Sequence, residues 1–128
     1  MNFNRVVIKV GSALVSPDAQ GCSGKGLIAH GSSNPSIPTK QAMASVGQMK
    51  MMANWQRFFD VPCSQLLITH GDLKDRQRYI SIKNTLRILL ENGVIPIVNE
   101  NDTVATEELK VGDNDNLAAL VAVVSEAD

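Results

Sequence analysis

Aromatic residues are scarce in this sequence: one Trp, one Tyr and three Phe make up only 4% of its 128 residues. A core must therefore be built from aliphatic side chains, and hydrophobic residues at 44% suffice for one. Cysteine and histidine are limited to Cys22, Cys63, His30 and His70. They form no CxxC pair and no mixed cluster, which argues against a disulfide scaffold or a structural zinc site. Long apolar runs are missing too. The opening MNFNRVVIKVGSALV is interrupted by Lys9 and too short to span a bilayer, and no small-residue cleavage site follows it. Reduced thiols and the lack of a targeting signal point to the cytoplasm. Charge of either sign is not in excess: twelve Lys and Arg face thirteen Asp and Glu, a net charge of −1. No basic field is available to hold nucleic acid, and there is no acidic tail. The length bounds the chain to one compact unit at most.

What is present alternates between two kinds of segment. Arg5 to Val10 (RVVIKV) is a β-branched run ended by Gly11 and Ser12, and its near-continuous apolar character predicts a central strand buried on both faces. Residues 16–39 are rich in Gly, Ser and Pro without a helical period, a long loop for so small a domain. Lys40 to Phe59 is expected to be helical, with Thr39 as cap, Ala42, Val46 and Met49 on one stripe and Met52, Trp55 and Phe59 on its neighbour. CSQLLIT (Cys63 to Thr69) reads as a second strand. Asp72 is placed to cap a long helix reaching about Asn92, with Leu73, Ile80, Leu86, Leu89 and Leu90 as its buried face and Gly93 as its stop. VIPIV (Val94 to Val98) is a third strand, in which Pro96 asks for an edge, a bulge or an irregular end. TVATEELKV suits a hairpin. A last helix starts near Asp113, with Leu117, Leu120, Val121 and Val124 at i, i+3, i+4 and i+7. This order predicts an α/β sandwich on a mostly parallel sheet.

Ligands of open α/β sheets gather beyond the carboxyl ends of the strands, so the residues that follow each strand are the candidates for chemistry. Lys9 stands at the end of the first run, and Gly11 after it lets backbone N–H groups approach an anion. A lysine there calls for a partner such as a phosphate, unless it reaches solvent from an edge strand. Asn99-Glu100-Asn101-Asp102 follows the VIPIV strand, where a plain turn would also accept Asn and Asp. Gly112-Asp113-Asn114-Asp115-Asn116 opens the last helix with more carboxylates and amides than a cap requires. Such a start can hold a cation, an ammonium group or a metal-chelated phosphate; a solvated helix start is the alternative.

Several sharper motifs fail. GCSGK (Gly21 to Lys25) lacks the GxxxxGK[ST] spacing and a preceding strand, and there is no GxGxxG. DNDN lacks the central Gly and distal Glu of an EF-hand. Cys63 and His70 have no nucleophile-elbow context.

Taken together, VVIKVGSALV, KQAMASVGQ, QLLIT, DLKDRQRYISIKNTL, IPIVNENDTVATEE and KVGDNDNLAALVA resemble, in this order, the glutamate 5-kinases among the amino-acid kinases. The resemblance covers nearly everything except about residues 16–39. It implies a three-layer αβα sandwich and transfer of the γ-phosphoryl group of ATP to the side-chain carboxylate of L-glutamate, giving glutamyl 5-phosphate on the way to proline. Phosphoryl transfer of this kind rests on positioning and charge neutralisation. By resemblance Lys9 is the strand-end lysine on the ATP phosphates, with Gly11 keeping the backbone close to them. Asp102 and Asn114 correspond to glutamate-binding positions, Asp115 to the aspartate that orients catalytic lysines, and Asn99 and Asp113 to supporting residues. Mg²⁺ would arrive with the nucleotide, not in an all-protein cage. The resemblance further implies a homo-oligomer, feedback inhibition by proline, and hand-over of the acyl phosphate to glutamyl phosphate reductase.

The departures shape the expectation for this chain. The family carries a further helix, a second strand and a VSSGA-like loop, whose serine contacts glutamate, where here Lys25 runs straight into Gly26-Leu27-Ile28. It also continues, past the final helix, into a strand ending in Thr-Asp and a loop with a second lysine that grip the nucleotide. The 128 residues are thus expected to form a partial amino-acid kinase domain, with the glutamate side and the first phosphate contact, that does not turn over alone. The alternative is a short non-catalytic homologue acting as a binding or assembly module.

Overall fold

The computed structural model describes residues 4–11, 36–104 and 114–128. Helix α1 spans Ile37–Gln56 and starts three residues before the expected Lys40, because Ser36 takes the cap position and Pro38 falls in the first turn, where its missing N–H costs nothing. The helix stops at Gln56. Its last side chain ties it to the following strand: Gln56 Nε2 donates to the Phe59 and Val61 carbonyls (3.3 and 3.0 Å), and its Oε1 accepts from Cys63 N at 2.8 Å. Trp55 and Phe59, expected on one helical stripe, instead stack across the turn with ring centroids 6.3 Å apart.

Strand β1 is Cys63–Ile68, followed by helices α2 (His70–Lys74) and α3 (Arg76–Glu91). The single long helix expected from Asp72 is therefore broken in two. Thr69 caps α2, and Asp72 closes a reciprocal box by accepting from Thr69 N at 2.7 Å while its own N–H donates to Thr69 Oγ1 at 3.3 Å. Asp75 then adopts extended backbone and caps α3 by accepting from Arg78 N at 2.9 Å. At the far end Gly93 takes φ +70°, the left-handed conformation that ends a helix at low cost.

Strand β2 (Ile95–Glu100) pairs in parallel with β1, Cys63 opposite Ile95 and Ile68 opposite Glu100. Helix α4 (Asn114–Val124) completes the described elements. Val98 packs on Leu117 and Val121 of α4, so the even-numbered residues of β2 face that helix. The opposite face carries Gln65, whose Nε2 donates to Gln48 Oε1 of α1 at 2.5 Å. Helices thus cover both faces of a parallel sheet, an α/β arrangement in three layers. The buried apolar residues are Ile68, Leu86, Leu117, Val121 and Val124. Leu117, Val121 and Val124 sit where the last-helix pattern placed them, whereas Ile80 and Leu90 of the expected α3 face are exposed.

Residues 5–10 differ most from expectation. They pair with no strand among the described residues, and Val6 and Ile8 are 63% and 80% exposed. Only Val7 joins the core, against Leu117 and Val121. The run is instead held at its beginning: Asn4 and Arg5 N–H groups donate to Asp128 Oδ2, Asp128 N donates to the Arg5 carbonyl at 3.0 Å, and the Arg5 guanidinium donates to the Ser125 carbonyl. A hydrogen-bonded neighbour would make it the strand its sequence specifies. The expected hairpin falls mostly on residues 105–113, outside the described ones.

Candidate functional site

The carboxyl end of β2, the residue 5–10 run and the first turn of α4 converge on one end of the fold. Lys9 Nζ lies 2.7 Å from Asp115 Oδ1, with the two side chains 43% and 69% exposed. The pair is therefore reachable from solvent. Asp115 also sits in the first turn of α4, where a carboxylate interacts favourably with the helix dipole.

A groove of about 870 Å³ opens beside this pair, lined by Lys9, Asn99, Glu100 and Asp102 as well as by apolar residues deeper in. Asn99 is half-buried at the end of β2. Asp102 is half-buried in the turn that follows, where its N–H donates to the Glu100 carbonyl at 3.0 Å and Val104 N donates to the Asn101 carbonyl at 3.2 Å. Those turn bonds use backbone groups. At Gly11 an added Cβ would meet nothing within 4 Å among the described residues.

Of the residues singled out in the sequence, Lys9 and Asp115 are thus in direct contact, and Asn99 and Asp102 share the groove with Lys9. Asn114 begins α4, immediately before Asp115; its side chain and the whole of Asp113 lie outside the described residues. Sequence reasoning missed Gln48, which is 8% exposed and lines the groove from α1. Its signal was available, because Ala44, Gln48, Met51 and Trp55 follow helical spacing and form the stripe that turns inward. The expected stripe through Val46 and Met49 faces outward instead.

No His, Cys, Asp and Glu cluster suited to a metal ion occurs among the described residues. None of the described carboxylates whose pKa departs from the ordinary is itself among the residues lining the groove. Burial would raise Asp72, but hydrogen bonds from the Thr69 backbone and hydroxyl, with Arg78, bring it below its usual value. Glu126 is lowered by its hydrogen bond and charge pairing with Lys83, and Asp128 by the Asn4 and Arg5 N–H groups.

The carboxyl end of a parallel sheet between helix layers is where open α/β folds gather their ligands, and Lys9, Asn99, Asp102 and Asp115 stand at that end here. The amino acid kinase family model matches residues 21–128, and the chain belongs to that family. It is similar to the glutamate 5-kinase of Salinibacter ruber, 49% identical over 160 residues that take in 99% of this chain and 43% of the relative. Glutamate 5-kinase 1 of Pseudoalteromonas translucida is 46% identical over 158 residues, covering all of this chain and again 43% of the relative. A Xylella fastidiosa glutamate 5-kinase is 54% identical over 95 residues, 74% of this chain and 25% of the relative. The chain spans less than half the length of these relatives.

Proposed function

We propose that the chain carries the glutamate side and the first phosphate contact of an ATP-dependent kinase that phosphorylates the side-chain carboxylate of L-glutamate. The observation that carries this reading is the Lys9 and Asp115 pair at the mouth of a groove shared with Asn99 and Asp102, in a member of the amino acid kinase family. Lys9 supplies the cation that a transferring phosphoryl group needs, and Gly11 leaves room for the phosphate chain beside the backbone. Asp115 holds the lysine ammonium in position until phosphate oxygens compete for it. Asp102 accepts from the substrate ammonium, and Asn114 can both donate to and accept from the amino acid. Asn99 and Asp113 support the two polar turns. Mg²⁺ carried by the nucleotide would supply further charge neutralisation beside Lys9.

The setting fits a cytoplasmic step of proline biosynthesis, with proline competing for the same groove and glutamyl phosphate reductase taking the unstable product. Assembly of copies through the α/β layers accords with this reading. The matched regions of the Salinibacter ruber and Pseudoalteromonas translucida relatives run 160 and 158 residues against 128 here, so roughly 30 of their residues have no counterpart in this chain. We place that difference between Lys25 and Gly26. A chain without them binds glutamate but does not turn over ATP on its own, which is also the behaviour of a non-catalytic binding module.

Calorimetric titration of the purified chain tests this. Glutamate should bind, and Asp102→Ala should weaken it by tenfold or more, since a hydrogen bond to a charged group contributes about 1.5–3 kcal/mol. A folded chain that takes up no glutamate would overturn the site. Glutamate- and Mg²⁺-dependent ATP consumption that disappears in Lys9→Ala would overturn the inactivity of the isolated chain.

A further inference from the structure

We propose that Lys83 and Glu126 are positioning residues for Lys9: their ion pair holds the chain in a left-handed turn at the end of α4, and that turn fastens the residue 4–10 run to which Lys9 belongs. The catalytic meaning of Lys9 rests on the kinase reading above, whereas its placement by this turn is a property of the ligand-free chain.

The turn is built on backbone bonds. After α4 ends at Val124, Glu126 N donates to the Val123 carbonyl at 3.1 Å and Ala127 N to the Ala122 carbonyl at 2.9 Å. A bond that reaches back five residues, enclosing one that reaches back three, is the Schellman ending of a helix. It places a left-handed residue at the position of Glu126, which is the one non-glycine residue with positive φ, 54°, among the described residues. Helix α3 ends with the same pair of bonds, Gly93 N to the Leu90 carbonyl at 3.1 Å and Val94 N to the Leu89 carbonyl at 2.9 Å, but there the left-handed residue is Gly93. Glycine is the usual choice because a Cβ crowds the following carbonyl. A glutamate in the second of two like turns therefore calls for a compensating contact of its side chain.

The compensation comes from α3. Lys83 Nζ donates to Glu126 Oε1, and this hydrogen bond and the charge behind it lower the pKa of Glu126, with the Arg5 charge adding to the effect. A cation of α3 and one of the run thus both act on the glutamate that makes the turn. Ser125, just before it, is buried, and its carbonyl accepts from the Arg5 guanidinium. Asp128, just beyond it, accepts from the Asn4 and Arg5 N–H groups and donates its own N–H to the Arg5 carbonyl at 3.0 Å. Residues on both sides of Glu126 therefore grip the same point of the run, and the turn between them sets their relative direction. From Arg5 to Lys9 an extended chain covers about 13 Å, so the direction set at Arg5 is carried to the lysine. Val7, between the two, packs on Leu117 and Val121, and Lys9 then meets Asp115.

Hydrogen exchange of the full 128-residue chain, without ligand, tests this. Lys83→Met removes the ammonium and keeps an apolar stem of similar length. It should speed exchange of the Arg5 and Ala127 amides by about threefold, the scale open to an exposed ion pair. Asn101, whose N–H donates to the Ile68 carbonyl, should keep its rate. The Lys9 ammonium should at the same time lose part of its NMR response to Asp115→Asn. Adding Glu126→Gly to Lys83→Met should return both amides to the rates of the unchanged chain and restore the Lys9 response, because glycine takes the left-handed turn without help. An ion pair that merely stabilises the fold gives no such rescue. Unchanged Arg5 and Ala127 exchange in Lys83→Met would overturn the proposal, and so would failure of Glu126→Gly to restore it. Equal acceleration at Asn101 would overturn it too, since the pair would then support the whole fold and not the run. No arm contains glutamate, so failure here leaves the glutamate titration untouched.

Discussion

The 2.7 Å contact between Lys9 and Asp115 is short, but both side chains are substantially exposed, and solvent screens them. An exposed pair of this kind contributes about 0–1 kcal/mol to stability. Replacing Asp115 by Asn should therefore shift the urea midpoint only slightly, while a functional role for the pair would appear as weakened phosphate binding. A loss of several kcal/mol in unfolding free energy would mean that the pair is structural. Asp72 behaves differently because its carboxylate belongs to a capping box and also accepts from Arg78 at 3.0 Å. Its pKa in the folded chain is pulled below the ordinary value of 3.8, so its stabilising contribution is complete above that value and is lost as the pH falls through the lower folded one. Asp72→Asn should lower the denaturation midpoint at pH 7 and flatten the acid limb of the stability profile below about pH 4. A limb as steep as that of the unchanged chain would assign acid sensitivity to other carboxylates.

Helix α3 turns opposite faces to the core and to solvent. Leu86 is 2% exposed, while Ile88, two residues on, is 49% exposed. Leu86→Ala should cost about 2–5 kcal/mol and Ile88→Ala no more than about 0.5. Equal losses in chemical denaturation would show that α3 is packed differently. The sequence made the strands, the Gly93 stop and the inward residues Leu117, Val121 and Val124 legible because each depends on local chemistry or a strict period. The break at Asp75 was not legible, since Thr69, Asp72 and Asp75 are all competent caps and only their simultaneous use divides the helix. The run at 5–10 misled for a different reason. Its β-branched residues specify a strand, but a strand also needs a neighbour to hydrogen-bond, and none stands beside it among the described residues. That Asn99 and Asp102 share a groove with Lys9, and that Lys9 meets Asp115, was readable from the end of β2 and the start of α4; Gln48 was hidden by the habit of expecting apolar side chains on an inward stripe.

At the scale of the whole molecule, the contacts at Asp128 connect residues more than 120 positions apart in sequence and place one wall of the groove. The Asp128 carboxylate accepts from Asn4 and Arg5 N–H groups, its backbone N–H donates to Arg5, and Val7 is the nearest following residue to reach the core. Lys9 thus meets Asp115 through a segment fastened at two points, one polar and one apolar. Removing the polar point by Asp128→Ala should leave β1, β2 and α3 intact, because none of their hydrogen bonds involves it. It should nevertheless speed amide exchange at Arg5 and separate Lys9 from Asp115. NMR of the Lys9 ammonium would detect the separation as loss of its response to an added Asp115→Asn change, a double-mutant test of coupling. Acid should imitate the substitution, since the Asn4 and Arg5 N–H groups hold the pKa of the Asp128 carboxyl below its usual value and protonation weakens their bonds. Persistence of the Lys9 and Asp115 coupling in Asp128→Ala would show that the Asp128 carboxylate has no part in forming the site.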